Sequence, residues 1–379
     1  MKVAVIHDWL GPMTGAERVL QQILRCYPGA DVFTAIDYLP ARHRGLLGGS
    51  RVVTSFIQRL PRARTRYWNY IPLMPWAFEG FDLTGYDLVI SNSHTVAKGV
   101  VPREGQVHVC YLETPMRFAW DLESYYLKSF RMDRGLKGAA ARFVVRRLRR
   151  WDVTSAARVD SFVACSEFVS RRCKTFYHRD AEVVYPPVDV DYFTPDAAQK
   201  EDFFLVASRL TPFKRVDLIV EAFRALPNRK LVVIGDGPER DWVASLCSTN
   251  VTFLGYQPDD VLRDHMRRAR AFLYPAPEDF GIVMAEAQAC GTPVIALEHG
   301  GATEIVQGPD SPAPTGVFFD SQSVVAVVDA VSRFERDEGL FAPRACRRNA
   351  LRFEPRLFRE ALVRYVDAAL HRKGRLAAQ

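Results

Sequence analysis

Two glutamates eight positions apart stand out in the stretch PEDFGIVMAEAQACGTPVIA, which runs from Pro277 to Ala296. Glu278 precedes a helix-like run and Glu286 lies inside it, among Ala285, Ala287, Ala289 and Cys290. A carboxylate ahead of a helix can serve as a cap or dipole device, which suits Asp279 and, less well, Glu278. Glu286 lies too deep in the run for that. Helical spacing puts it on the side of Ile282 and Cys290, where an unpaired charge is costly. The two hydroxyls of a ribose would supply partners. The amides near Gly281 and Ile282 form an anion site at the helix start, so a diphosphate there would lie between such a ribose and Glu278. Eight residues of helix span about 12 Å, the reach from a ribose across a diphosphate to a sugar.

Three further stretches carry residue types that suit the same chemistry. In ASRLTPFKRVDLIVEAF, Arg209 follows a strand-like run and Lys214 precedes a helix-like one. Together they can grip a diphosphate as fork and point charge, or they are two solvated loop cations. In LVVIGDGPER, Gly235, Asp236 and Gly237 form a strand-to-helix turn, most simply read as a turn with an N-cap aspartate. In HDWLGPMTGAERVL, Gly11 and Gly15 lie between the first strand and a helix. They would let backbone amides approach a phosphate. The Gly-x-Gly-x-x-Gly dinucleotide spacing is absent, and an ordinary turn is the alternative.

These stretches need a scaffold that brings them together. Short apolar runs (VAVI, ADVFTAI, DLVIS, VHVCYL, SFVAC) alternate with helix-like segments up to EVVYPPVDVDYFTP, where prolines and polar turn residues mark a boundary. Alternation then resumes with FFLVAS, KLVVIG, VTFLG, AFLYP, PVIAL and GVFF. This pattern predicts an α/β protein of two successive doubly wound, Rossmann-like domains. The expected division is 1–185, with the terminal helix 355–379, and 186–354. Ligands of such sheets bind at the carboxyl ends of the strands, and two facing domains would form a cleft there. The run PRLFREALVRYVDAALHR has no strand after it and must pack on something already built.

Length and composition agree with two ordinary globular domains: 379 residues, 48% hydrophobic and 25% charged. The seven cysteines form no Cys-x-x-Cys pair, so metal and redox chemistry is not indicated and a reducing cytosol is expected. The apolar start MKVAVIHDW is too short for a signal peptide and reads as a strand, and no run is long enough to span a membrane. A net charge of +7 favours an anionic partner.

Taken together, the Glu-x7-Glu pair, ASRLTPFKRVD upstream and GGATEIV downstream resemble the retaining glycosyltransferases of family GT4, which have the GT-B fold. In the first half, HDWLGPMTGAERVL, YDLVISNSHTVAKGV, TPMRFAWD and RRWDVTSAARVD resemble bacterial mannosyltransferases of the WbaZ type. The resemblance implies that Arg209 and Lys214 hold the donor diphosphate and that Glu286 binds the ribose. Glu278 would contact the donor sugar, and Phe280, Gly281 and Ile282 would meet the phosphates. Gly11 and Gly15 would approach from the first domain, Gly235, Gly255 and Tyr256 would lie near the base, and the terminal helix would cross back to the first domain. It implies no bound metal and no cofactor, the leaving diphosphate being stabilised by basic side chains and a helix N-terminus. The chain departs from the family at Glu113, where a histidine usually precedes Thr-Pro. His94, at the end of the neighbouring strand, offers an imidazole instead.

The activity implied is transfer of a hexosyl unit, mannosyl from GDP-mannose in the nearest likeness, to a lipid-linked oligosaccharide. The acceptor would be polyprenyl-diphosphate-linked or another glycan, in O-antigen, capsule or exopolysaccharide synthesis. A GT-B sugar-nucleotide 2-epimerase and a non-catalytic nucleotide-sugar-binding module are the alternatives. Two basic stretches, Ile57–Phe78 with Tyr67, Trp68, Tyr70 and Trp76, and ARFVVRRLRRW with Arg142, Arg146, Arg149 and Arg150 on one face, suit an anionic membrane surface or a solvated face. No nucleic-acid motif accompanies them. The expected location is cytoplasmic, peripheral on the inner face of the cell membrane.

Overall fold

The computed structural model describes residues 1–11, 13–196 and 200–377. Pro12 of the glycine-bearing first loop and the last two residues of the terminal stretch lie outside them. The chain divides into two compact units, Met1–Pro187 with Phe358–Gln379, and Val188–Leu357.

The first unit is built on seven parallel strands: β1 (Val3–His7), β2 (Asp31–Thr34), β3 (Val52–Thr54), β4 (Leu88–Ser93), β5 (Val107–Leu112), β6 (Ser161–Ala164) and β7 (Ala181–Val183). Their order is β3-β2-β1-β4-β5-β6-β7. Every residue of β1, β4 and β5 is buried, which is why these strands carry no polar alternation: both sheet faces are covered. The two edge strands differ from the sequence reading. β3 is not among the strand-like runs of the sequence, and β7 overlaps the start of the boundary run EVVYPPVDVDYFTP. Both are three residues long and none of their residues is fully buried, so neither has the apolar run that marks a central strand.

The second unit carries β8 (Phe204–Ala207), β9 (Leu231–Ile234), β10 (Val251–Gly255), β11 (Phe272–Tyr274), β12 (Val294–Leu297) and β13 (Gly316–Phe319). The order is β10-β9-β8-β11-β12-β13, again with parallel pairing throughout. One core cluster packs Phe204 and Leu231 from the sheet against Phe223 and Phe334 from the helices. In each sheet the strand order reverses once, at β1/β4 and at β8/β11. These are the switch points where an open α/β sheet leaves a crevice beyond its strand ends.

The final helix, Pro355–Ala377, joins the first unit from Phe358 onward. It buries Phe358, Leu362, Tyr365, Val366 and Ala369. The Tyr365 hydroxyl donates to the Phe162 carbonyl at 2.8 Å, and Phe358 meets the Tyr111 ring edge-on at 5.4 Å. Helix Gly135–Ala156 is tied down by Asp152, which is wholly buried. Its carboxylate pairs with Lys98 and accepts from Trp120 Nε1 and the Tyr177 hydroxyl, each at 2.8 Å. Burial of this charge is tolerated because a cation and two further donors hold the carboxylate.

Candidate functional site

In the second unit, chemistry-bearing residues from five loops collect where β8 and β11 end. Lys214 closes a short 3-10 turn, Pro212–Lys214, after β8. Its ammonium pairs with the Glu278 carboxylate and donates to the Tyr274 hydroxyl at 3.0 Å. Tyr274, the last residue of β11 and only 3% exposed, donates in turn to Glu278 Oε1 at 2.9 Å. The resulting chain of polarity runs from ammonium through phenol to carboxylate. Lys214 and Glu278 are 16% and 14% exposed, so their attraction is screened far less than a surface pair's. Arg209, by contrast, is exposed and forms no ion pair among the described residues. It remains available to an incoming anion.

Glu278 is held by its main chain as well. It bridges Gly300, and the Gly301 amide donates to the Glu278 carbonyl at 2.8 Å. This approach requires both glycines. A Cβ on Gly300, whose φ is +70°, would sit 2.3 Å from the Glu278 carbonyl oxygen, and one on Gly301 would sit 2.2 Å from that of Phe280. GGATEIV is therefore the stretch that fixes the position of Glu278.

Helix Ile282–Ala289 starts from Gly281 with φ +98°, and no side chain caps it. Asp279 lies two residues ahead of this N-cap glycine. Phe280 is buried and meets the Phe353 ring edge-on at 5.1 Å, while Gly281 and Ile282 are half-buried. Glu286 lies in the helix's second turn and is 5% exposed.

Gly235 (φ +152°) passes so close to the end of β8 that a Cβ would lie 2.0 Å from the Ser208 carbonyl oxygen. Its amide donates to the Gly255 carbonyl at 2.9 Å, which places Gly255 beside Gly235 and the Arg209 segment. Tyr256 follows and is 67% exposed. The aspartate of this turn corrects the sequence reading. Asp236 Oδ1 accepts from the adjacent Gly237 amide at 2.8 Å, and the next helix begins only at Arg240 with Glu239 at its N-cap. The turn is too long for Asp236 to reach the helix amides.

In the first unit, His94 directly follows β4. Asp8, just past β1 and wholly buried, accepts from the amides of His94 (2.7 Å), Thr95 (3.1 Å), Val96 (2.5 Å) and Ala97 (2.7 Å). Its carboxylate also lies 3.6 Å from His94 Nε2. Burial pushes the His94 imidazole below its ordinary pKa, with Asp8 opposing. Trp9 meets this ring edge-on at 4.6 Å and packs on Tyr67 and Trp68. Sequence reading missed Asp8; the only signal was a carboxylate between an apolar strand and a tryptophan. Glu113 follows β5, where its amide donates to the Ser93 carbonyl at 2.9 Å and its carbonyl accepts from Cys165 Sγ at 3.1 Å. The side chain is half-buried.

Gly11 has open space where a Cβ would stand, and Gly15 is the first residue of helix Gly15–Cys26. The Glu17 carboxylate, 3% exposed, accepts from the Thr14 amide at 2.8 Å and from its hydroxyl. Burial would raise the pKa of Glu17, but its bonds with His7 and Thr14 outweigh this and lower it. An anion approaching Gly15 would therefore meet a carboxylate as well as amides.

The basic stretches also differ from expectation in detail. Arg149 is drawn inward to the Ala119 carbonyl and the Glu123 carboxylate. Arg142, Arg146, Arg147 and Arg150 remain exposed, next to exposed Leu136 and Phe143 on the same helix. Tyr67, Trp68 and Tyr70 pack against the first unit's core, while Trp76, Arg59, Arg62, Arg64 and Arg66 of the same stretch are exposed. Among the described residues, no helix is long and apolar enough to cross a membrane.

Residues 191–353 match the family model described as glycosyl transferases group 1. The GDP-mannose-dependent alpha-(1-6)-phosphatidylinositol monomannoside mannosyltransferase of Mycobacterium tuberculosis is 33% identical over 189 residues, 42% of this chain and 48% of that protein. The D-inositol 3-phosphate glycosyltransferase of Mycobacteroides abscessus is 37% identical over 142 residues, 32% of each chain. The chain thus spans about half the length of these curated relatives, or less. Among solved structures, Anabaena HepE in complex with UDP superposes with a TM-score of 0.69 at 18% identity, over 97% of this chain and 100% of that one. Almost all of the second unit thus matches the glycosyl transferases group 1 model, and the chain has the two parallel-sheet Rossmann-like units of the GT-B fold.

Proposed function

We propose that this protein is a retaining, metal-independent hexosyltransferase that moves a mannosyl unit from GDP-mannose to a lipid-linked glycan. The observation that carries this reading is the Lys214–Tyr274–Glu278 cluster ahead of an uncapped helix start, with Glu286 buried in the second turn beyond it. The nucleotide's ribose lies against Glu286 and its diphosphate over the Gly281–Ile282 amides, between Arg209 and Lys214. As the glycosidic bond breaks, charge grows on the diphosphate, and these two cations and the helix start stabilise it. Glu278 orients the donor sugar and faces the positive charge that develops at its anomeric carbon. Gly235, Gly255 and Tyr256 border the base. Acceptor recognition falls to the first unit, with His94, Glu113 and the Gly11–Gly15 loop. The relative that acts on a phosphatidylinositol monomannoside supports both the mannosyl donor and a lipid acceptor. O-antigen, capsule or exopolysaccharide synthesis is the setting in which such an acceptor occurs.

A thermal-shift panel of GDP, UDP and ADP with their hexose conjugates tests the donor, since a ligand raises the midpoint only by binding the folded state. GDP and GDP-mannose are expected to give the largest shifts. Glu286→Ala is expected to weaken GDP-mannose about ten- to hundredfold, the worth of charge-assisted hydrogen bonds of about 1.5–3 kcal/mol. Unchanged calorimetric affinity would remove the ribose role.

The exposed arginines on helix Gly135–Ala156 and around Trp76 support an anionic membrane surface as the second partner, at the cytoplasmic face. Each cation near such a surface contributes about 1 kcal/mol, and salt screens it. The protein is expected to float with vesicles containing phosphatidylglycerol at low salt and to leave them at high salt. Equal flotation on neutral vesicles would defeat the proposal.

A further inference from the structure

Lys214 has two tasks that compete. In the structure its ammonium neutralises Glu278, whereas the proposed reaction needs its charge on the donor diphosphate. The ammonium is a compact point charge on a flexible stem, so it can turn. When it does, the Glu278 carboxylate loses its counter-charge just as two negative phosphates arrive. A group is required that holds the carboxylate without carrying charge away.

We propose that Tyr274 is that group: a positioning residue that keeps Glu278 ionised and oriented while Lys214 moves from the carboxylate to the diphosphate. Its hydroxyl already lies 2.9 Å from Glu278 Oε1 and 3.0 Å from Lys214 Nζ. As donor to the first and acceptor from the second, it loses only its acceptor bond when Lys214 leaves. Three features keep it in place. It ends β11, paired with β12 through Tyr274–Ala296; its ring stacks on Phe272 at 6.3 Å and 17°; and it is 3% exposed. A hydroxyl so fixed cannot follow the ammonium outward. The partner exchange also makes the resting site self-satisfied, so that no charge in this cluster stands unpaired before the donor arrives.

This inference rests on the donor reading above, and the test separates the two. Tyr274→Phe removes one oxygen and keeps the ring. GDP affinity by calorimetry, thermal midpoint, and kcat and KM for GDP-mannose are measured on it beside the wild type. The expected result is a kcat about ten- to hundredfold lower, the worth of one hydrogen bond to a charged group. GDP affinity should stay within about threefold and the midpoint within a few degrees. A merely structural role would lower the midpoint and leave the kcat of the folded fraction unchanged, and that outcome overturns the proposal. So would equal losses of GDP affinity and kcat, which would place Tyr274 on the diphosphate instead. A wild type that neither binds nor turns over any nucleotide sugar would defeat the donor reading, and this inference with it.

Discussion

Glu278→Gln is expected to lower mannosyl transfer by about 10²- to 10³-fold, the usual loss when one preorganised electrostatic group is removed from a site where charge develops. The amide has the shape of the carboxylate and can still accept from Lys214 and Tyr274, so the partners in the structure are not orphaned. What disappears is the negative charge that the proposed mechanism sets against the anomeric carbon. Ground-state binding responds differently. The variant frees the Lys214 ammonium from its counter-ion, so GDP affinity should hold or tighten while turnover falls. That opposition distinguishes a role in the transition state from one in binding. Calorimetry with GDP and a coupled assay of GDP release give the two quantities. Transfer within tenfold of wild type would show that Glu278 does not face the reacting centre.

The second large effect is expected from a residue with no functional group. Gly301→Ala places a methyl 2.2 Å from the Phe280 carbonyl oxygen and 2.4 Å from its Cα. Both are backbone atoms and cannot rotate away. Either the Gly300–Gly301 turn or the Glu278–Phe280 segment must shift, breaking the bridge that fixes Glu278. Displacing a reacting group by about 1 Å costs on the order of a hundredfold in rate. The overpacking itself costs about 1–3 kcal/mol of stability. Denaturant titration and turnover on the folded variant measure these losses separately. A variant that keeps both would show that the close approach is slack.

The two substitutions bracket how the site is built. Glu278 supplies charge, and the glycines opposite supply a position for it. The sequence contained both stretches but not their meeting, because a backbone-to-backbone approach leaves no local pattern. The same limit applies to Lys214 and Tyr274. Lys214 sits in a loop and Tyr274 reads as one aromatic in an apolar strand, so neither betrays a shared carboxylate. Asp8 is a similar case: a carboxylate after a strand is ordinary until four amides from residues 94–97 are found around it.

Local periodicity did determine much of the molecule. Apolar runs of four to six residues between amphipathic segments must become buried parallel strands with helices over them, and this settled the α/β class and the doubly wound pattern. It also put Arg209, Gly235, Glu278 and the Gly281 helix start just after strands, where such sheets bind ligands. Helical spacing alone placed Glu286 too deep to be a cap. Only the tertiary structure decided which strands lie side by side, that β3 and β7 extend one sheet, and that Arg149 turns inward. The reason is physical. A residue's period fixes the face it presents, but its partner across the sheet is chosen by packing of the whole unit, which depends on every segment at once.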